Sequence, residues 1–243
     1  MGYFSFLLIF FITILIHESG HLFACKIYKV PVNEFVIGLG FTLFSFTYKE
    51  TIFSIKLLPI CGYISNGNKN ENAKYLKLSL CKKYIIFLSG IFVNILVGIL
   101  VIGLISDIGF IRSCIDTITI IIPKIVSGIF NVIGFKEFIM KDASISTNIS
   151  SFLEIAQSKE MNDFKNILKI FGLFNILVGI FNLLPIPILD GGRVIMESIK
   201  MLMLKLKVKE IIIDRLEYVL TIGSLVILFV LPNLMDIVRY FIK

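Results

Sequence analysis

Four long, mostly apolar stretches dominate the sequence. They cover residues 3–27, 84–106, 167–189 and 216–238. A helix of about 20 apolar residues crosses a hydrocarbon core of about 30 Å. Hydrophobic residues make up 57% of the 243-residue chain, which is more apolar surface than a soluble domain of this length buries in one core. We therefore expect an all-α polytopic membrane protein with about four transmembrane helices.

The basic residues predict the orientation of these helices. Lys and Arg are frequent in the connection between the first two stretches and in the connection between the last two, whereas acids outnumber bases in the long middle connection. Because Lys and Arg concentrate on the cytoplasmic side, we expect both basic connections in the cytoplasm and both termini outside. The first stretch lacks the basic flank and the small-residue cleavage site of a signal peptide, so we expect it to be retained.

The charge distribution and the cysteine spacing argue against a nucleic-acid partner and against a cysteine-based site. The formal net charge is +7, but no basic stripe interleaved with aromatic residues marks a nucleic-acid site, so no nucleic acid is expected as a partner. The cysteines at 25, 61, 81 and 114 are scattered without a CxxC pair. This spacing predicts free thiols rather than a zinc–thiolate cluster or a disulfide framework.

Two segments between the apolar stretches have their own character. Residues 32–64 alternate weakly between apolar and polar and carry several glycines, which predicts a small membrane-associated β-hairpin. Residues 111–133 are apolar but interrupted by charges and a proline. We prefer an amphipathic helix at the outer interface there, and a fifth span is the alternative. We expect one integral-membrane domain over residues 1–243.

The decisive motif is His17-Glu18-Ser19-Gly20-His21, an HExxH inside the first apolar stretch. Helical spacing puts the two histidines one turn apart on one face, where both imidazoles can bind one Zn²⁺. Glu18 can then take a proton from a metal-bound water and pass it to the leaving amine. The chain has only these two histidines, and polar groups in a spanning helix are costly unless they serve an internal polar site. The alternative is a structural polar cluster or an ion path.

A catalytic zinc needs a third protein ligand, and the candidate is Asp190. It follows two prolines and precedes two glycines in the sequence Asn182-Leu-Leu-Pro-Ile-Pro-Ile-Leu-Asp-Gly-Gly-Arg193. A broken helix at membrane depth is tolerated where it lines a cavity. Asp-Gly-Gly by itself is more typical of a turn. The presence of the HExxH motif in the same chain favours Asp190 as a metal ligand instead.

Together these two motifs resemble the site-2 protease family, the M50 intramembrane metalloproteases, and in particular its bacterial branch acting in regulated intramembrane proteolysis. The resemblance implies that His17, His21 and Asp190 bind one Zn²⁺ per chain and that Glu18 is the catalytic base. Residues 38–40 and 58–63 resemble the family's β-hairpin region. Residues 89–94 resemble its Gly-Pro-x-x-Asn motif, with Ile91 in place of the proline. Asn94 and Asn182 are candidates for substrate binding, and packing hydrogen bonds between helices are the alternative.

The resemblance also implies the substrates and the setting. They would be single-pass transmembrane proteins, such as an anti-sigma factor or a remnant signal peptide, cut near the cytoplasmic side of a bacterial cytoplasmic membrane. The middle connection leaves no room for a PDZ domain, and we expect no C-terminal CBS domain. The rival functions are a metal or proton transporter and a catalytically silent scaffold that binds transmembrane helices.

Overall fold

The computed structural model describes residues 2–65, 73–133 and 163–226. This part of the chain is mostly helical, with one antiparallel sheet. The strands are β1 (Glu34–Tyr48) and β2 (Thr51–Ser65). The helices are α1 (Gly2–Ile27), α2 (Ala73–Leu76), α3 (Leu80–Ile105), α4 (Phe110–Asp116), α5 (Ile122–Ile133), α6 (Phe164–Asn182), α7 (Asp190–Lys205) and α8 (Glu210–Leu225).

Three of the described helices are long and apolar enough to cross a bilayer. The spans are Phe4–Ile27 in α1, Leu80–Ile105 in α3 and Phe164–Asn182 in α6. They coincide with the first three apolar stretches of the sequence. The predicted fourth span, 216–238, begins within α8, and most of it lies outside the described residues.

The third span ends earlier than the apolar pattern predicts. The sequence favours a helix over 167–189, whereas α6 ends at Asn182. The reason is local, because Pro185 and Pro187 have no N–H to donate and would clash with the preceding turn of a continuing helix. A tight turn follows, in which the Ile186 N–H donates to Leu184 O at 2.8 Å and the Leu189 N–H to Ile186 O at 2.8 Å. Asp190 then opens α7.

The β-hairpin predicted over 32–64 is present and is built from two long strands. Its tip pairs Tyr48 with Thr51. At the other end, Glu34–Ile37 pairs with Gly62–Ser65, and the same four residues also have Cα partners in Ile52–Ile55. The sheet therefore folds back on itself, with Glu34–Ile37 in its interior and Gly62–Ser65 along one margin.

The segment predicted as an amphipathic helix is helical from Phe110 to Ile133. A π-helical turn, Thr117–Ile121, separates α4 from α5. Ile122, Ile125 and Val126 of α5 pack against a buried cluster of Ile102, Ile176 and Ile180. Its placement at the outer interface, rather than across the bilayer, stays a prediction.

The chain divides into two compact units. One comprises Met1–Lys77 and Ser89–Phe181, and the other Leu78–Leu88 and Asn182–Lys243. In the first unit, glycines let α3 and α6 approach closely, since a Cβ on Gly98 would lie 2.5 Å from Cγ1 of Ile176. Small residues at such crossings are typical of membrane helices.

Candidate metal centre and catalytic base

Helix α1 carries the HExxH motif in its C-terminal half. In a helix the backbone N–H and C=O groups bond to one another, and a single span in lipid needs this because no water is there to bond them. His17, Glu18 and His21 are nevertheless all buried, with 7–8% of each residue exposed. Three ionisable side chains buried along one turn of a membrane helix indicate a functional site.

The two histidines face each other through their Nε2 atoms. Nε2 of His17 lies 3.2 Å from Nε2 of His21, and the rings are nearly perpendicular, with an interplanar angle of 83°. Two imidazole nitrogens bound to one tetrahedral zinc at 2.0–2.1 Å are about 3.3 Å apart. The pair therefore has the separation that zinc coordination through Nε2 requires.

Helix α3 contacts both rings. Nδ1 of His17 lies 3.3 Å from Nδ2 of Asn94, and Nδ1 of His21 lies 3.5 Å from Oγ of Ser89. Metal-bound histidines usually hold their second nitrogen in this way, which fixes the tautomer and the ring orientation. Gly90 lies between these two polar residues, and a Cβ there would lie 2.5 Å from Nε2 of His21. Only glycine leaves the imidazole in place.

An unpartnered buried atom tests whether this site fits a metal. Asn94 is fully buried, and its Oδ1 has no hydrogen-bond partner among the described residues. When His17 binds a metal through Nε2, its proton sits on Nδ1 and needs an acceptor. The oxygen and nitrogen of an amide are interchangeable in shape, so a half-turn of the Asn94 amide supplies that acceptor and gives Oδ1 a partner. The residues present thus fit a zinc ion.

Strand β2 passes directly over the side chain of Glu18. A Cβ on Gly62 would lie 2.6 Å from Cγ of Glu18 and 2.9 Å from Oε1, so this glycine makes room for the carboxylate. Burial, followed by the Glu18 charge, raises the pKa of the neighbouring Cys61 thiol, while Lys56 acts in the opposite direction. Burial also raises the pKa of Tyr63, whose hydroxyl donates to Oε2 of Glu34 at 3.2 Å.

Asp190 is placed by the break after α6. It is buried, with 7% exposed, and is the first residue of α7, where the helix dipole favours a negative charge. A Cβ on Gly191 would overlap the Leu183 carbonyl, and one on Gly192 would overlap that of Ile186. The two glycines therefore let the first turn of α7 lie directly on the preceding backbone, so Asp-Gly-Gly begins a helix here.

Several contacts at this site were not predicted from the sequence. Ser89 and Gly62 lie in recognised motifs, but the sequence does not indicate their contacts with His21 and Glu18. Asn94, a candidate for substrate binding, lies next to the ring of His17. Asn182 is half-buried at the last residue of α6. The substrate-binding roles of both asparagines stay predictions.

Comparison with known proteins identifies the family. The sequence model described as Peptidase family M50 matches residues 5–230, nearly the whole chain. The chain belongs to peptidase family M50. It is thus a member of the site-2 protease family of zinc metallopeptidases, and its apolar helices make it a multi-pass bacterial membrane protein.

Two of the curated proteins to which this chain is similar are named Zinc metalloprotease RasP. The protein of Oceanobacillus iheyensis is 45% identical over 73 residues, which are 30% of this chain and 17% of the relative. The protein of Shouchella clausii is 43% identical over 60 residues, which are 25% of this chain and 14% of the relative. The aligned parts thus cover less than a fifth of these relatives.

Proposed function

We propose that this M50 protein is an intramembrane zinc endopeptidase that cleaves transmembrane substrates. The observation that carries the proposal is the buried pair of His17 and His21, whose Nε2 atoms are 3.2 Å apart in a spanning helix beside the buried Glu18. We propose Asp190 as the third protein ligand and one zinc ion per chain. A site with three protein ligands leaves a position open for chemistry, as catalytic zinc sites do.

Glu18 would act as the general base. Zinc, when bound, supplies a Lewis acid that polarises the peptide carbonyl and makes water a nucleophile at neutral pH. Glu18 accepts the proton of the attacking water and delivers it to the amine that leaves when the C–N bond breaks. Asn94 and Ser89 hold the two imidazoles in orientation, and Gly62 keeps the carboxylate of Glu18 clear of a side chain from β2.

The substrate helix has to unwind before its carbonyls become accessible, because helical carbonyls are already hydrogen-bonded. We propose that the sheet holds the unwound segment as an added strand. The margin formed by Gly62–Ser65 is the candidate edge, since it has Glu34–Ile37 on one side and no further strand of the described chain on the other. Gly62 brings this edge next to Glu18.

The proposed substrates are single-pass proteins already shortened outside the membrane, such as an anti-sigma factor or a remnant signal peptide. We propose that the active site lies near the cytoplasmic side, with both termini outside. This orientation follows from the basic connections that flank the spans.

Co-expression with tagged single-pass substrates tests the function. The wild type and the Glu18→Gln variant are compared for a shortened product, and the zinc content and membrane level of each are measured. We expect the product only with the wild type, while Glu18→Gln keeps its zinc because Glu18 is not a ligand. If zinc is bound but neither form cuts any of several substrates, the protease proposal is wrong, and a zinc-flux assay would test the transporter.

Proline substitutions test the added strand. N–H groups of successive strand residues point to opposite edges, so one of Tyr63→Pro and Ile64→Pro removes a donor from the margin while the other disrupts pairing with β1. We expect one variant to accumulate normally, keep zinc and lose cleavage. Ser45→Pro, in the far arm of the hairpin, is the matched control. Cleavage at the wild-type rate by both margin variants would exclude strand addition at this edge.

A further inference from the structure

A buried pair of contacts joins the start of α3 to the middle of α7. Nζ of Lys83 lies 2.9 Å from Oε2 of Glu197, with only 10% and 16% of the two side chains exposed. Next to this ion pair, the hydroxyls of Tyr84 and Ser198 are 2.6 Å apart. All four residues belong to the unit formed by Leu78–Leu88 and Asn182–Lys243.

The hydrogen-bond directions in this cluster can be assigned. The Ser198 hydroxyl donates its proton to Val194 O at 2.8 Å. Because a hydroxyl has one proton, the Tyr84 hydroxyl must be the donor to Ser198 Oγ. The ion pair and the phenol bond thus join two adjacent residues of α3 to two adjacent residues of α7. A single contact allows a helix to rotate about it, whereas two contacts side by side fix its rotation.

This cluster lies on the face of α7 that also carries Asp190. Asp190 and Glu197 are two helical turns apart, about 10 Å along the axis, and therefore project from nearly the same side. Rotation of α7 would swing Asp190 and Glu197 together. Two further ion pairs of α7 are looser, since Nζ of Lys200 lies 3.7 Å from Asp214 and 3.9 Å from Glu217.

We propose that Lys83, Glu197 and Tyr84 are positioning residues for the metal ligand Asp190. The Lys83–Glu197 ion pair and the Tyr84–Ser198 hydrogen bond set the rotation of α7, and with it the direction of the Asp190 carboxylate. The proposal rests on the proposed role of Asp190 in zinc binding. A buried ion pair adds little net stability compared with apolar packing. Stability alone therefore does not explain the Lys83–Glu197 pair, whereas orientation of the metal ligand does.

Zinc affinity of the purified full-length chain tests the proposal without reference to cleavage. A chromophoric chelator competes for the metal, and the visible spectrum of the Co²⁺-loaded protein reports the ligand geometry. We expect Glu197→Gln to weaken zinc binding roughly tenfold, as for residues that support a metal ligand, and to alter the Co²⁺ spectrum. The matched control is Asp214→Asn, which removes an acid of the same unit from a longer, more exposed pair and should leave both unchanged.

Two further variants make the result decisive. The exchanged pair Lys83→Glu with Glu197→Lys should recover much of the lost affinity, because it restores opposite charges. If Glu197→Gln does not accumulate, Tyr84→Phe removes one hydrogen bond and should weaken zinc binding about threefold, with only the small loss of thermal stability in the metal-free protein that one hydrogen bond contributes. Wild-type zinc affinity and Co²⁺ spectrum in Glu197→Gln, or in Tyr84→Phe where it replaces that variant, would overturn the proposal.

Asp190→Asn separates this inference from the proposed function. If Asp190→Asn loses zinc while Glu197→Gln and Tyr84→Phe bind it as tightly as the wild type, only the positioning role fails. If Asp190→Asn itself binds zinc with wild-type affinity, Asp190 is not a ligand and the ligand set proposed above is wrong.

Discussion

Asn94 and His17 form one of the contacts that join the second span to the proposed metal centre. Nδ2 of the amide lies 3.3 Å from Nδ1 of the ring, and Oδ1 of the same amide has no partner among the described residues. A metal on Nε2 leaves the proton on Nδ1, and rotation of the amide then converts this contact into an N–H···O hydrogen bond. The orphaned oxygen is thus accounted for in the zinc-bound state.

Replacement of Asn94 by leucine should therefore weaken zinc binding. Residues that hold a metal-bound histidine typically contribute roughly 10–100-fold to metal affinity, and we expect a loss in this range for Asn94→Leu. Chelator competition on the purified protein measures it. Asn175→Leu is the matched control, because Asn175 is also fully buried and has an unpartnered Oδ1 but contacts Thr13 rather than a histidine.

The same variant distinguishes the two roles considered for Asn94. If Asn94→Leu binds zinc normally but raises KM for a cleaved substrate, the predicted substrate contact is right and the orienting role is wrong. Equal losses of zinc affinity in Asn94→Leu and Asn175→Leu would indicate a general packing defect.

Gly90→Ala should displace His21 from the metal. The added methyl would lie 2.5 Å from Nε2 and 2.8 Å from Cε1 of the ring, well inside van der Waals contact, so either the ring or α3 must shift. We expect at least tenfold weaker zinc binding, because a displaced ligand no longer meets the coordination geometry.

Gly98→Ala provides the comparison for Gly90→Ala on the same helix. Its methyl would lie 2.5 Å from Cγ1 of Ile176, in an apolar contact between α3 and α6. This variant should lower the stability of the fold by about 1–3 kcal/mol, the usual cost of overpacking, without selective loss of zinc. A wild-type zinc affinity in Gly90→Ala would contradict the assigned ring position.

The sequence was sufficient to predict the elements that depend on local pattern. Apolar length located α1, α3 and α6, and weak alternation with glycines located the hairpin of β1 and β2. The end of α6 was predicted too late, because apolar length continues to 189 while the two prolines stop the helix at Asn182. The end of this helix is therefore determined by the backbone chemistry of proline and not by hydropathy.

The contacts between elements could not be predicted in the same way. The histidine face of α1 follows from helical spacing, but the ring nitrogens' partners depend on how α3 crosses α1. That crossing is set by close backbone approach, since a Cβ on Gly20 would lie 2.8 Å from Ser89 O. A glycine in a spanning helix does not reveal which neighbour approaches it. The roles of Ser89, Gly62 and Lys83 therefore depend on the three-dimensional structure.

Gly62→Ala should impair cleavage while leaving zinc in place. Its methyl would lie 2.6 Å from Cγ of Glu18, and the three atoms nearest to it all belong to Glu18, so the carboxylate must move. A misplaced general base typically costs 10²–10⁴-fold in rate, and we expect a loss of roughly this size in kcat at unchanged zinc content. Gly223→Ala, where a methyl would have nothing within 4 Å, should cleave as the wild type does. Loss of zinc in Gly62→Ala would contradict the separate roles of Glu18 and the histidines.

Thr13 and Asn175 form a buried polar contact one helical turn before His17. Nδ2 of Asn175 donates to Oγ1 of Thr13 at 3.1 Å and to Phe171 O at 2.9 Å, and both side chains are fully buried. Thr13→Val should destabilise the protein by about 1 kcal/mol, since one hydrogen bond is lost. This cost is of the same order as the average contribution of a polar contact between membrane helices, which is about 0.6 kcal/mol.

The double variant Thr13→Val with Asn175→Leu should cost less than the sum of the two single variants. Replacing both partners by apolar groups leaves no buried donor unsatisfied at this crossing and also removes the unpartnered Oδ1 of Asn175. The free energy of unfolding of all four proteins in mixed micelles gives the coupling directly, and we expect about 0.5–1 kcal/mol. If the two costs add, the hydrogen bond between Thr13 and Asn175 contributes nothing to stability. Zinc affinity should stay at the wild-type value throughout, because the Asn175 amide donates to Thr13 and to Phe171 O rather than to an imidazole.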